Sequence, residues 1–163
     1  MIKTILIATD FSLESLDILK KVLKKKESQN DDTKYNVLFV SGYDMGDSIR
    51  DLLFTTKNSM ICKIRSQEFC DAYSIINNKY SNLINKVTCD VFTGNFQRTF
   101  NHYIEALNID EAYYSSAKSR NLKKNQFEIT TYLKKNKHIQ PQEVVMEVLD
   151  FMPEKGRLAE VFS

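Results

Sequence analysis

Residues Thr4 to Lys26 read TILIATDFSLESLDILKKVLKKK, and the change of rhythm inside this stretch decides the fold. Thr4 to Thr9, TILIAT, is a short, continuous run of apolar and β-branched residues, the pattern of a strand buried on both faces, which belongs in a parallel sheet. The period then changes. Ser12 can cap a helix, Glu14 favours the positive end of its dipole, and Phe11 can staple against Leu16. Leu16, Leu19 and Leu23 fall on one helical face, with Lys24, Lys25 and Lys26 at the negative end. The unit is strand, tight turn, helix.

The same unit repeats outward from this stretch. SQNDDTK is a polar loop, and YNVLFVSGY is a second apolar strand. Between Asp44 and Ser59 the pattern is mixed, with one short helix suggested around SIRDLLF. Phe69, Ala72, Tyr73, Ile76, Tyr80 and Leu83 then repeat at helical spacing, which predicts one long amphipathic helix over residues 59 to 86. KVTCDVFTG alternates like a third strand and stops at Gly94. Phe96, Phe100, Ile104 and Leu107 make the face of a third helix, and DEAYYSS is a fourth strand. LKKNQFEITTYLKKNK reads as a fourth helix with Leu122, Ile129 and Leu133 turned inward, and Pro141 precedes a fifth strand, QEVVMEVL. Strands alternating with helices build right-handed βαβ crossovers. The expected fold is α/β: a Rossmann-like open twisted sheet of five mainly parallel strands with helices on both faces. Residues 1–150 form the domain, and residues 151–163 form a tail whose Leu158, Val161 and Phe162 want cover, for instance in a dimer interface.

Composition narrows the function classes. The chain has 163 residues, 42% apolar and 27% charged, with Lys+Arg 23 against Asp+Glu 21, ordinary for one folded domain and too balanced for a nucleic-acid binder. The opening MIKTILIATDF lacks the pattern of a secretory signal, and no segment reaches the roughly 18 apolar residues of a membrane span. Cys62, Cys70 and Cys89 fit neither a disulfide framework nor a zinc site, so a reduced, cytoplasmic protein is expected. His102 and His138 lie in no motif that pairs them with a nucleophile. A Walker A loop, a G-x-G-x-x-G fingerprint and a G-x-S-x-G elbow are all absent, and no catalytic or metal-binding set emerges.

In sheets of this kind ligands sit at the carboxyl ends of the strands, where strand order reverses. Asp10, directly after Thr9 at the end of the first strand and before Ser12, can accept hydrogen bonds from a ligand there; a turn with a capped helix would use the same residues. SSAKSRNLKK, with Ser116, Lys118, Ser119 and Arg120, could hold an anion near a helix N-terminus, or be a solvated basic loop.

ILIATDFS with its strand and helix order resembles the universal stress protein family. The resemblance implies a fold of five strands and four helices, often a homodimer paired through the fifth strand across a two-fold axis. In members that bind ATP it implies a motif G-x2-G-x9-G-[ST] after the fourth strand. On this chain that spacing runs Ser116, Ser119, Ile129, Thr130, and only Thr130 matches. Side chains at Ser116 and Ser119 and the β-branched Ile129 stand where bare backbone should approach phosphates. Asp10 matches the acidic residue on the adenine side in binders. The resemblance therefore implies a non-enzymatic stress-response or regulatory domain with a degraded nucleotide site, no cofactor, and a second copy or another protein as partner. The alternative is a binder of ATP, AMP or another anion through Thr9, Asp10, Ser12, Ser116, Lys118, Ser119, Arg120 and Thr130. A small enzyme transferring adenylyl or sulfur groups is the weakest reading.

Overall fold

Strand β1 (Ile2–Ala8) pairs in parallel with β2 (Lys34–Tyr43) on one side and β4 (Glu111–Ser115) on the other, in a computed structural model that describes residues 1–29, 32–46, 56–117 and 122–145. The outer strands, β3 (Ile84–Phe92) and β6 (Gln142–Val144), add in parallel to β2 and β4, giving the order β3-β2-β1-β4-β6. A two-residue strand, β5 (Gln126–Phe127), lies antiparallel on the end of β2. This is the expected open, mainly parallel α/β sheet.

Alternation along the central strands sorts the core into two layers. Ile5 and Ile7 of β1, with Val37 and Phe39 of β2, face α1 (Leu16–Ser28), α2 (Lys57–Ile64) and α3 (Gln67–Lys79). Leu6, Ala8, Leu38 and Val40 face α4 (Gln97–Leu107) and α5 (Thr130–Lys135). Both sets are buried, which is why TILIAT reads as a continuous apolar run. On the first face Phe69 meets Phe11 and Phe39 edge-on, with centroids 5.5 and 5.2 Å away, contacts worth about 0.5–1.5 kcal/mol each beyond area burial.

Three expectations need correction. The helix predicted over residues 59 to 86 is two helices, because Ser66 sits in extended backbone and its hydroxyl accepts the Phe69 N–H at 3.1 Å, starting α3 afresh. Met60 and Ile64 before the break face the same core as Phe69 and Ile76 after it, so the apolar rhythm passes through unbroken. Phe96 is not on the inner face of α4; it precedes the helix and is 71% exposed. Within the predicted fourth helix only Thr130–Lys135 is helical, and Leu122 is exposed while Ile129 and Leu133 are buried. The helix suggested around SIRDLLF, the second half of QEVVMEVL and the tail lie outside the described residues.

Polar ties close the layers. Lys26, placed from the sequence at the negative end of the first helix, is buried and meets Glu111 at 2.8 Å, with Tyr113 Oη donating to the same carboxylate oxygen at 3.2 Å. Burial alone would lower the Lys26 ammonium, but the Glu111 hydrogen bond and charge outweigh it and the net direction is up. At the sheet edge, Asp90 of β3 receives Tyr103 Oη from α4 at 2.7 Å and Lys57 from α2 at 3.1 Å, so one carboxylate joins helices from opposite faces. Burial, then the Asp90 charge, push the Tyr103 phenol far up; burial likewise raises Tyr113 and Tyr80.

A pH dependence follows. The unfolded chain releases phenolic protons near pH 10, whereas the folded chain holds them, so the unfolded state binds fewer protons and stability falls as pH rises past about 10. The raised Lys26 acts in the same sense: its contribution is present below its unfolded value and is lost as pH climbs through its folded value. Urea denaturation should therefore show a midpoint that begins to fall above about pH 8, where the unfolded Cys89 thiol ionises and the buried one does not, and falls more steeply beyond about 10, with Tyr103→Phe making the steeper fall shallower.

Candidate functional site

The chain moves from β1 through β2 to β3 in one direction and then crosses to β4 on the other side of β1, so strand order reverses between β1 and β4. Loops leaving the carboxyl ends of these two strands frame the crevice where open α/β sheets take ligands. The β1 loop is tightly built. Thr9 Oγ1 accepts the Phe11 N–H at 2.9 Å and donates to Ser15 Oγ at 2.6 Å. Asp10 Oδ1 accepts both the backbone N–H and the hydroxyl of Ser12, an Asx turn. Phe11 between them has φ 61, a left-handed conformation that costs a bulky residue about 1–3 kcal/mol. Its ring, wholly buried against Phe69, holds it there.

Ser12 therefore has a role other than the predicted helix cap. It precedes a short 3-10 turn, Leu13–Ser15, without a side-chain cap bond, and its hydroxyl serves Asp10 instead. Beside this loop opens a cleft of about 450 Å³, between the loop, the α2–α3 junction and the chain returning after β4. That volume falls within the range of small-molecule sites. Asp10, Glu14 and Glu68 bring three carboxylates to its wall, and Lys123 is the one cation of the described lining.

Among the candidate residues, Asp10 and Ser12 line the cleft, and Thr9 lies buried behind them. Ser116 is exposed at the end of β4, its N–H donating to Val144 O at 3.0 Å, and Thr130 opens α5; neither is in the described lining. Lys118, Ser119 and Arg120 lie outside the described residues. Sequence reasoning missed Ser66 and Glu68, which sat inside a supposed continuous helix, and it missed Gln126. The Gln126 side chain is buried and donates to the Asp10 carbonyl and to Ser41 Oγ, both at 2.9 Å.

The other chemistry-bearing residues stay apart from the cleft lining. His102 and His138 are exposed, the latter 3.2 Å from Glu105. The three cysteines are free thiols; burial raises Cys89, and the nearby Arg65 guanidinium offsets this only in part, which leaves a poor nucleophile. Among the described residues no group of His, Cys, Asp and Glu is placed to hold a metal ion, and no helix is long and apolar enough to cross a membrane.

Comparison of the whole architecture with solved structures gives a consistent answer. A universal stress protein family protein from Burkholderia pseudomallei superposes with a TM-score of 0.51 at 8% identity, covering 87% of this chain and 95% of its own. Universal stress protein UspA from Lactobacillus plantarum gives a TM-score of 0.50 at 11% identity, covering 89% and 97%. The chain has the universal stress protein fold. A third structure, a universal stress protein family protein from Arabidopsis thaliana with AMP bound, aligns over 90% of this chain and 93% of its own at 11% identity, with a TM-score of 0.49. No family model and no curated protein matches the sequence itself. The likeness read from ILIATDFS thus holds at the level of the universal stress protein architecture.

The Asx turn gives a local test. Asp10→Ala removes the acceptor for both Ser12 bonds and should lower stability in urea by about 1–2 kcal/mol. A change of only a few tenths would show that the turn does not depend on this carboxylate.

Proposed function

We propose that this chain is a non-enzymatic stress-response or regulatory domain on the universal stress protein fold, with a degraded nucleotide site, working as a homodimer in the cytoplasm. The observation that carries the reading lies at the motif positions of the resemblance. Ile129 is buried at the entry to α5 with φ −88, and its backbone is sheathed by a β-branched side chain where a bare glycine would let phosphate approach.

The absence of turnover in this reading is supported by chemistry. The thiol raised by burial, the exposed histidines and the hydroxyls of Thr9 and Ser15, bonded to each other, supply no activated nucleophile with a base in reach. The dimer is supported by β6, which among the described residues ends the sheet beyond β4, with Val145 73% exposed beside it. A strand that ends a sheet can pair with another strand.

The alternative, a binder of ATP, AMP or another anion beside Asp10, is favoured by one observation, the size of the cleft. Calorimetric titration with ATP plus magnesium and then AMP, with mass by light scattering, separates the two. No heat from a particle of twice the chain mass is expected. Micromolar binding that disappears in Asp10→Lys would replace the reading with the alternative.

A further inference from the structure

The connection from β4 to α5 makes a detour that strand pairing and helix packing do not require. After Leu122 the chain turns through Lys123 and Lys124, sets Asn125 at φ 68, and lays Gln126 and Phe127 against the last two residues of β2, with Tyr43 opposite Gln126 and Gly42 opposite Phe127. Asparagine tolerates the left-handed turn this needs. The Asp44 N–H donates to Asn125 O at 2.7 Å, which fixes the far side of the turn.

The Gln126 carboxamide then satisfies all its polar atoms on the sheet's carboxyl end. Its Nε2 donates to the Asp10 carbonyl and to Ser41 Oγ, and its Oε1 accepts the Lys123 N–H at 2.9 Å. The Phe127 ring covers Gly42 so closely that a Cβ built there would lie 2.3 Å from it. The carbonyl after β1, the hydroxyl near the end of β2 and the bare backbone of Gly42 are what a bound molecule would use at the ends of parallel strands. The chain's own residues occupy all three.

We propose that residues 122–127 are an intramolecular plug, seated on the ends of β1 and β2 and excluding a ligand from them. The proposal rests on the degraded-site reading and supplies its physical cause: a tethered segment competes at high effective concentration, and a free ligand's apparent affinity is reduced by the fraction of molecules in which the plug is out. The cleft lined by Asp10 and Lys123 is what remains open beside it.

Two variants unseat the plug from opposite sides. Gln126→Ala removes the latch from the segment, and Gly42→Ala pushes Phe127 off from the strand without touching the segment. Hydrogen exchange read by mass spectrometry on the full chain should show the peptides covering 41–44 and 122–127 exchanging about tenfold faster in each variant, the factor that losing one buried contact commands. The peptides of β1 and β3 should be unchanged. Calorimetry with AMP should then register binding in the variants and none in the parent, and adding Asp10→Lys should remove it. If the variants open locally and AMP still gives no heat, the plug is not what excludes the ligand and the proposal falls while the degraded-site reading stands. Fast exchange over 122–127 in the parent would equally overturn it. Micromolar AMP binding by the parent would overturn both. Should Gly42→Ala unfold, seen as exchange everywhere, Gln126→Ala decides alone.

Discussion

Strand β1 is paired on both sides and buried on both faces, and everything at the carboxyl end of the sheet is referred to it. Ile5, Leu6 and Ile7 have no exposed surface, and each contributes to one of the two core layers in turn. A strand so held cannot tilt or slip, because a shift by one residue would exchange its two faces. The residue that leaves it must therefore reverse the chain at once. Phe11 does so in the left-handed conformation, at a cost offset by the complete burial of its ring together with its contact to Phe69. The strain thus sits against Asp10, the residue with the best claim to a functional part.

The few glycines of the chain make this solution systematic. Left-handed backbone is taken by Phe11, Asn108 and Asn125, as well as by Gly46. Asn108 ends α4 and Asn125 turns the chain into β5, so asparagine does what glycine usually does at helix ends and tight turns. Asparagine adds a side chain at each place where glycine would leave bare backbone.

The parts of the fold legible in the sequence were those that repeat. TILIAT, YNVLFVSGY and DEAYYSS read as buried strands because both faces are covered, and Leu16, Leu19 and Leu23 read as a helix face because one is. The break at Ser66 was not legible from rhythm, since the core-facing residues continue in phase across it; the signal that could have found it was a serine able to cap with Glu68 two residues on. β5 was hidden more deeply. QFEIT has the spacing of a helix face, and only the tertiary bond from Gln126 to Asp10 and Ser41, 116 and 85 residues away, makes strand pairing the better choice. Lys26 was similarly masked, because nothing local announces Glu111.

The candidate site divides along the same line. Thr9, Asp10 and Ser12 could be placed from sequence because a turn at the end of a central strand is a local event. Glu68 and Lys123 come to Asp10 from segments far along the chain, so the lining of the cleft is a property of the fold. The ends of β1 and β2 follow the same rule. Gln126 Nε2 donates to the Asp10 carbonyl and to Ser41 Oγ, and the Phe127 ring lies over Gly42. Buried polar groups in a folded chain find partners, and here the partner arrives from a distant segment that no local pattern in QFEIT announces.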